Sequence, residues 1–356
     1  MTTMKDIAAK TGVSISTVSL VLNGRDNGRV NRQTAAQVRE TAHRLGYISN
    51  PLARSLRTGR TRILGFVSEQ IATTPFAGGI ILGAQEAAIA LGYMLLTVNA
   101  DDQRAEADSI AMLARYGVDG VLYAKMSNQY TDVPEALVDY PLVLVDATDK
   151  QGRFPSVEPD EFTIGLDATA RLIAAGCRRI AYIGAPDTTL AQRGRFAGYR
   201  QALDNGSIQF DDRLVANVDD NETALRTVSD VCDREHPDGF FCFNDARAWY
   251  VYECAARRGL TIGKDVSVVG VDNHQIFAQT LIPRLTTVEL PHYEMGYWAT
   301  VKLVSLIEGG VPDTLVMPLT TAPLPPLDAP VPAQIHCALI EKASVRLNRT
   351  ISSYTG

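Results

Sequence analysis

Polar side chains that can form paired hydrogen bonds follow four apolar segments typical of buried strands. Carboxylate, carboxamide and guanidinium groups can each make two aligned hydrogen bonds to neighbouring hydroxyls. That chemistry suits a sugar or another hydroxyl-rich small molecule. The residues are Asn99 after MLLTV, Asp146 after LVLV, Asn244 and Asp245 after GFFCF, Asp272 after VSVVGV, and Arg195 early in the helix predicted after IAYIG.

Each of these residues also has a plainer interpretation as a helix cap. Asn244 or Asp245 could cap the helix predicted over residues 246–258, and taken singly a cap is the commoner role. Ligands of open parallel sheets bind beyond the carboxyl ends of the strands, so four polar strand ends together favour a ligand cleft. Phe76 and Trp249 are the aromatic residues that could stack on an apolar ring face there.

A second set of candidate residues lies near the amino terminus, within residues 4–23. Two short segments with helical apolar spacing flank a turn at Gly12 and Val13. The second segment carries a row of small hydroxyl residues and ends near Asn23; the row is Ser14, Ser16, Thr17 and Ser19. This pattern predicts a helix-turn-helix that lies in a DNA groove.

The charge distribution supports nucleic-acid binding by the first 62 residues. They hold eleven Lys and Arg against three Asp and Glu, a net charge of +8, whereas the rest holds 23 against 37, a net of −14. A basic head gains affinity from phosphate contact and counterion release. An acidic body is repelled by DNA and helps to orient the head.

The helices that position the head residues follow from apolar periodicity. We predict helices from Lys5 to Lys10, from Ser14 or Ser16 to Leu22, and from Asn31 to Leu45, where Gly46 stops the last one. Their apolar faces form one small core, which makes residues 1–48 a small domain of marginal stability.

Residues 49–62 have the features of a connecting segment. Asn50 and Pro51 suit a helix start, and Leu52 and Leu56 lie on one face. A helix of about seven residues does not hold alone in water. Two copies could pair over a DNA minor groove, with Leu56 as a wedge between bases and Arg54 and Arg57 on phosphates. The alternative is a flexible linker whose leucines pack on the body.

From residue 63 onward, strand-like runs alternate with helical stretches. The runs do not alternate polar and apolar residues, so they predict strands buried in parallel sheets. We expect a core over residues 63–348 with two lobes, one of about 63–157 and 290–312, the other of about 158–287 and 334–348. Residues 311–333 contain seven prolines and predict an extended loop, and QIHCALIE predicts a final strand.

Several function classes are disfavoured by what the sequence lacks. It has no glycine-rich phosphate loop, no GxSxG and no HExxH, so we expect no enzyme and no cofactor. No apolar run of about 18 residues and no secretory pattern is present, so we expect a cytoplasmic protein without a membrane span. The scattered cysteines predict reduced thiols, and the spacing of Cys232 and His236 alone does not favour a zinc site. The five are Cys177, Cys232, Cys242, Cys254 and Cys337.

The chain resembles the LacI-type family of bacterial transcription regulators over nearly its whole length. The motifs that carry the resemblance are KDIAAKTGVSISTVSLVLNG, VNRQTAAQVRETAHRLGYISNPLARSL, VDGVL, LVLVD, GCRRIAYIG, GRFAGY, FCFNDARA, DVSVVGVDN, LTTVELP and LIEKASV. The resemblance implies a homodimer or higher oligomer on a near-palindromic operator. It also implies a helical head, a hinge helix with a leucine wedge, and a core like that of periplasmic sugar-binding proteins.

The resemblance also assigns roles to individual residues. It implies base reading by Ile15, Ser16 and Leu20, phosphate contacts near Ser14, Thr17, Ser19 and Asn23, and a wedge at Leu56. It implies effector contacts at Phe76, Asp146, Arg195, Asn244, Asp245 and Asp272. The resulting hypothesis is a DNA-binding repressor whose cleft binds a small metabolite, most simply a sugar. A transporter's solute-binding module, an enzyme and a sequence-indifferent DNA binder are the rivals.

Three positions depart from the family pattern. Leu20 stands where many members carry arginine or another polar residue, so paired hydrogen bonding to a base is lost there. Asp219 falls near the place of a stacking aromatic residue, which indicates either a different contact with the ligand's ring face or an effector that is not a simple sugar. Cys177 replaces a frequent histidine and is expected to pack in the core.

Overall fold

The computed structural model describes residues 2–47, 55, 59–69, 78–100, 102–186, 188–313 and 315–347. The chain forms two compact units, Met1–Thr61 and Arg62–Gly356. Four predicted site residues lie outside the described residues, and most of the predicted hinge segment does too; the four are Arg54, Leu56, Arg57 and Phe76.

The first unit contains three helices, α1 (Met4–Thr11), α2 (Ile15–Leu22) and α3 (Arg32–Arg44). Thr3 and Asp6 form a capping box at the start of α1. Gly12 ends α1 with a φ of 70°, which glycine adopts without strain, and so turns the chain into α2. The described helices confirm the predicted helix-turn-helix arrangement.

A single apolar cluster holds the three helices together. Ile7 of α1, Val18 and Val21 of α2, and Val38 of α3 are almost fully buried in it. Because positions 18 and 21 of α2 face this core, positions 15, 16, 19 and 20 are turned away from it.

The second unit contains two sheets of parallel strands flanked by helices, which confirms the predicted fold class. Its strands are β1 (Ile63–Ser68), β2 (Met94–Asn99), β3 (Gly120–Thr131), β4 (Leu142–Asp149), β5 (Ser156–Pro159), β6 (Ile180–Gly184), β7 (Val215–Asn217), β8 (Gly239–Cys242), β9 (Ser267–Val271), β10 (Thr286–Val288), β11 (Ala333–Ile335) and β12 (Leu339–Ile340). Its helices are α4 (Gly78–Ala90), α5 (Gln103–Tyr116), α6 (Glu161–Ala174), α7 (Leu190–Asn205), α8 (Asn221–Glu235), α9 (Asp245–Arg257), α10 (Gln275–Thr280) and α11 (His292–Glu308).

Each sheet forms the centre of one lobe. The first sheet has the strand order β11-β5-β4-β3-β1-β2, and the second has the order β12-β10-β9-β8-β6-β7. In both sheets the paired strands are parallel, except that β12 runs antiparallel to β10. Asp272 directly follows β9, at the edge where ligands bind in such folds. Asp146 was expected at a strand end but lies inside β4, where the pairing with β3 shifts register.

The predicted final strand, QIHCALIE, is divided between the two lobes. Ala333–Ile335 pairs with β5 in the first sheet, and Leu339–Ile340 pairs with β10 in the second. The first sheet also extends to Pro159, two residues past the expected boundary. The prediction of one strand in the second lobe is therefore wrong. The apolar character of a segment does not indicate which neighbouring strand each of its residues pairs with.

Three chain segments cross between the lobes, after β5, after β10 and after β11. The Asp160 amide donates to the Ile335 carbonyl over 2.9 Å, and the Glu289 amide donates to the Ala338 carbonyl over 2.8 Å. The crossovers are thus hydrogen-bonded to one another side by side. A bundle of short linked crossovers is the kind of connection about which two lobes can rotate.

The proline-rich segment packs along α11, and its described residues up to Pro332 contain neither helix nor strand. Trp298 Nε1 donates to the Pro325 carbonyl over 2.8 Å, and Lys302 Nζ donates to the Leu327 carbonyl over 2.6 Å. Glu294 Oε1 accepts from the Thr321 amide over 2.9 Å. The prediction of an extended loop is confirmed, and the segment supplies Ala322 to the core of the first lobe.

Candidate ligand cleft and nucleic-acid interface

A cavity at the junction of the two lobes collects polar side chains from both sheets and from two crossovers. Its wall consists of Ser127, Asp146, Pro159, Glu161, Arg195, Phe243, Asn244, Asp272, Leu290 and His292. Four predicted effector residues therefore meet at one place: Asp146, Arg195, Asn244 and Asp272. Their contact with a ligand stays a prediction.

Asp245 lies behind the cavity wall and has no exposed surface. Its carboxylate accepts from Thr287 Oγ1 over 2.7 Å and from the His274 amide over 2.8 Å. These bonds connect the start of α9 to β10 and to the loop that follows Asp272. The geometry gives Asp245 a positioning role for that loop, whereas the resemblance implied contact with the effector.

Asn244 is a helix cap that also lies at the cavity, so its contact with a ligand stays a prediction. Its Oδ1 accepts from the Arg247 amide over 3.0 Å, which caps α9, and the same residue lines the cavity. Asn99 and Trp249 are not among the cavity residues of the described chain, and Trp249 packs edge-on against Tyr250 with its ring 42% exposed.

Glu161 is a charged cavity residue that was not predicted from the sequence. Arg195 Nε donates to Glu161 Oε2 over 2.6 Å, and Arg195 Nη1 donates to the Phe243 carbonyl over 2.6 Å. The guanidinium also lies 4.5 Å from the centre of the Phe243 ring, in cation–π geometry. Its signal in the sequence is weak, because Glu161 follows the short strand SVEP and the cap residue Asp160, and not a long apolar run.

Burial dominates the electrostatics of the cavity. Burial raises the pKa of Asp146 to about 7, and the nearby Glu161 charge adds to the shift. Burial also raises the pKa values of Asp272 and Glu161, against the opposing effect of Arg195. Burial lowers the pKa of His292 to about 4, so this imidazole is neutral near pH 7.

Left-handed backbone conformations concentrate beside the same cavity. Asp146 has a φ of 53°, Asp272 of 112° and Asn273 of 50°, while Ser127 has 64° and Asn128 has 41°. Residues other than glycine rarely adopt these angles, and such strain tends to be retained at binding sites. The backbone therefore identifies the irregular point of β4 at Asp146 and the residues after β9 as constrained positions, independently of their side chains.

In the first unit, α2 presents a surface suited to a DNA groove. Ser14 caps the helix by accepting from the Thr17 amide over 3.1 Å, and Asn23 Nδ2 donates to the Ser19 carbonyl over 2.5 Å. Ile15 is half exposed although it is apolar, and Ser16 beside it is exposed. Leu20 is partly buried and completes this outward face. The structure thus places the predicted reading residues on one side of one helix.

The described residues contain no group of three or more His, Cys, Asp or Glu side chains arranged to hold a metal ion. Cys177 is fully buried in a core cluster of the second lobe, as predicted. Asp219 is exposed and does not line the cavity.

Among the helices of the described residues, none is both long and apolar enough to cross a membrane.

Comparison with known proteins agrees with both units. Residues 3–50 match the lacI family of bacterial regulatory proteins, and residues 169–322 match a periplasmic binding protein-like domain. The HTH-type transcriptional regulator RegA of Clostridium saccharobutylicum is 33% identical over 315 residues, which cover 86% of this chain and 92% of that protein. The sucrose operon repressor of Escherichia coli is 29% identical over 327 residues, or 90% of this chain and 98% of the repressor.

Solved structures show the same architecture. A complex of the transcriptional regulator CelR with cellobiose has a TM-score of 0.65 and 26% identity, and covers 97% of this chain and 100% of its own. The lac repressor dimer bound to operator and the anti-inducer ONPF has a TM-score of 0.74 at 21% identity, covering 97% and 99%, and supports the fold alone. With a helix-turn-helix unit, a two-lobed core and a relative one-third identical over nearly its full length, the chain belongs to the LacI family of bacterial transcription regulators.

Proposed function

We propose that the protein is a sequence-specific repressor controlled by a sugar-like metabolite bound in the interlobe cavity. The observation that carries the proposal is a hydrogen bond that joins the cavity loop to one of the crossovers between the lobes. Asn273, next to Asp272, donates from Nδ2 to Glu289 Oε1 over 2.9 Å, and Glu289 lies on a crossover. A ligand held by Asp272 would therefore act directly on the connection that sets the angle between the lobes.

The proposed effector contacts are Asp146, Arg195, Asn244 and Asp272, with Phe76 as a further candidate and Asp245 holding the loop in place. Their carboxylate, amide and guanidinium groups suit vicinal hydroxyls. CelR and the sucrose operon repressor, whose names refer to a bound or regulated sugar, support this ligand class for the present chain.

For operator recognition, we assign base reading to Ile15, Ser16 and Leu20. Ser14, Thr17, Ser19 and Asn23 would contact or approach phosphates. We further propose that Leu56 wedges into the minor groove while Arg54 and Arg57 neutralise phosphates. The net charge of +8 over residues 1–62 favours this interaction.

We propose a homodimer that acts in the cytoplasm, where operator DNA is found. Support for the dimer comes from large apolar side chains that the single chain leaves exposed in both lobes. Leu82 and Ile89 lie on α4, and Ile276 and Ile282 lie on or beside α10. A second copy of the chain would cover such surfaces.

Control of DNA binding then follows from the lobe angle. Ligand binding would change the distance between the two hinge segments of the dimer and so bias their folding on DNA. A coupling free energy of about 1–3 kcal/mol would alter operator affinity some 5- to 150-fold.

We expect Asp272→Ala to abolish the effector response while operator binding by the free protein persists. The carboxylate lies in the cavity of the second unit, whereas the reading helix lies in the first. Footprinting first identifies the operator fragment. The affinity of the variant for this fragment is then measured by titration with and without each sugar of a panel. A normal effector response in this variant would remove Asp272 from the site.

We expect the double change Ile15→Ala and Ser16→Ala to weaken operator binding by at least about 30-fold, since each lost base contact costs about 1–3 kcal/mol. Binding to random duplex and the salt dependence should change little, because no charge is removed. Gln37→Ala, an exposed polar change on α3, serves as the matched control. Equal affinity of the unaltered protein for operator and random DNA would contradict sequence-specific reading.

A further inference from the structure

The described wall of the interlobe cavity carries more negative than positive groups. Three carboxylates line it, those of Asp146, Glu161 and Asp272, against one guanidinium, that of Arg195. The Glu161 carboxylate already neutralises this guanidinium at 2.6 Å. Among the described residues, Asp146 and Asp272 thus form no ion pair, although the charge of Arg195 acts on both and that of Arg247 on Asp272.

The hydrogen-bonding state of the two carboxylates differs from that of Glu161, which Arg195 binds directly. Asp146 is 94% buried and receives a hydrogen bond from the backbone of Asn128. The Asp272 carboxylate is partly exposed, and desolvation, together with the nearby Asp245 charge, raises its pKa. The side-chain oxygen of Asn128 is also buried and has no partner within the described chain. A ligand that enters here meets a wall that needs donors.

Burial of an ionised carboxylate without a cation raises the free energy of the protein, and two processes can lower it again. The carboxylate can take up a proton, which is the direction of the raised pKa values of Asp146 and Asp272. Alternatively, a ligand can supply the missing positive charge. An ammonium group supplies one positive charge and three donors, whereas a neutral hydroxyl supplies one donor and no charge.

We propose that the effector is an amino sugar or another polyhydroxylated amine, whose ammonium group lies between Asp146 and Asp272 while its hydroxyls bond Arg195 and Asn244. This inference rests on the proposed function, because it names the ligand class of the same cavity. The ion pair of Glu161 and Arg195 stays intact and orients the guanidinium.

The test is calorimetric titration of the full-length chain with matched ligands. The probes are glucosamine, galactosamine and mannosamine, each compared with its parent hexose and its N-acetyl derivative, which has the same ring without the charge. We expect at least one amine to bind at least about tenfold more tightly than both of its uncharged counterparts. Asp146→Asn and Asp272→Asn preserve shape and should reduce this preference to less than about threefold. Asp230→Asn, an exposed acid on α8, is the control that leaves the preference unchanged.

Proton linkage provides a second readout on the unaltered protein, which does not depend on the folding of any variant. Docking of an ammonium group favours ionised carboxylates, so amine binding should release protons and strengthen as the pH rises from about 5.5 to about 7. Repeating the titration in buffers of different ionisation enthalpy measures the protons released. A neutral hexose should not release them.

The inference is overturned if an uncharged hexose binds as tightly as its amine, if no amine of the panel binds, or if the amine preference survives both Asn substitutions. A neutral sugar that binds and shifts operator affinity would defeat this inference and leave the proposed function standing. If no ligand of either class alters operator binding, the proposed function fails as well.

Discussion

Replacing Arg195 by methionine should abolish the effector response and lower the free energy of unfolding by about 3–5 kcal/mol near pH 7.5. Arg195 is 3% exposed and pairs with the equally buried Glu161. Methionine fills much of the same volume, so the main loss is the positive charge and its hydrogen bonds. Urea unfolding followed by circular dichroism measures the first effect, and operator titration with effector measures the second.

The loss of unfolding free energy in Arg195→Met should be larger at high pH than at low pH. The folded-state pKa values of Asp146, Glu161 and Asp272 lie above their unfolded values. Their stabilising contribution is therefore greatest when they are protonated and is lost as the pH rises through each raised folded-state pKa, which for Asp146 is about 7. Both proteins should gain stability between about pH 8 and pH 5, the variant more steeply because its carboxylates lack the guanidinium.

The double change Arg195→Met and Glu161→Gln is the matched control for charge. It removes both members of the pair, so it should be considerably more stable than Arg195→Met alone near pH 7.5. If Arg195→Met unfolds at the same urea concentration as the unaltered protein, the buried ion pair does not contribute to the stability of the folded protein. A deficit that is the same at every pH would rule out carboxylate repulsion as its cause.

The substitution Gly165→Ala should damage both the second lobe and the cavity, although the residue itself binds nothing. A methyl group at this position would lie 2.0 Å from the Arg195 carbonyl oxygen, in the contact between α6 and α7. Because the obstacle is backbone, the two helices must separate. We expect a loss of about 3 kcal/mol in the free energy of unfolding, at the upper end of the usual range for overpacking.

Displacement of α7 would also move the Arg195 guanidinium away from Glu161, so effector affinity should fall by at least about tenfold. Thermal unfolding and ligand titration measure the two effects together. Gly78→Ala is the control, since a methyl group there meets no atom within 4 Å, and its effect should stay below about 1 kcal/mol. A Gly165→Ala protein as stable as the unaltered one would show that the helix contact yields easily.

Much of this protein was determined by local sequence patterns. The spacing of Ile7, Val18, Val21 and Val38 predicted the helical head because a helix repeats every 3.6 residues, whatever lies around it. Continuous apolar runs predicted buried parallel strands because both faces of such strands are covered by helices. The polar residues that follow the apolar runs of β4, β8 and β9 predicted a cleft, since the carboxyl ends of parallel strands meet at one edge.

Other features depended on contacts between residues distant in sequence, which periodicity does not encode. Arg195 and Glu161 are 34 positions apart, and only the packing of α6 against α7 joins them. Asp245 also depends on residues distant in sequence, because hydrogen bonds from Thr287 and His274 hold its carboxylate behind the cavity wall. The division of the last apolar run between two sheets was likewise decided by its partners, β5 and β10. Local propensity specifies which segments become helices and strands, whereas burial and charge pairing across the assembled lobes specify what their side chains do.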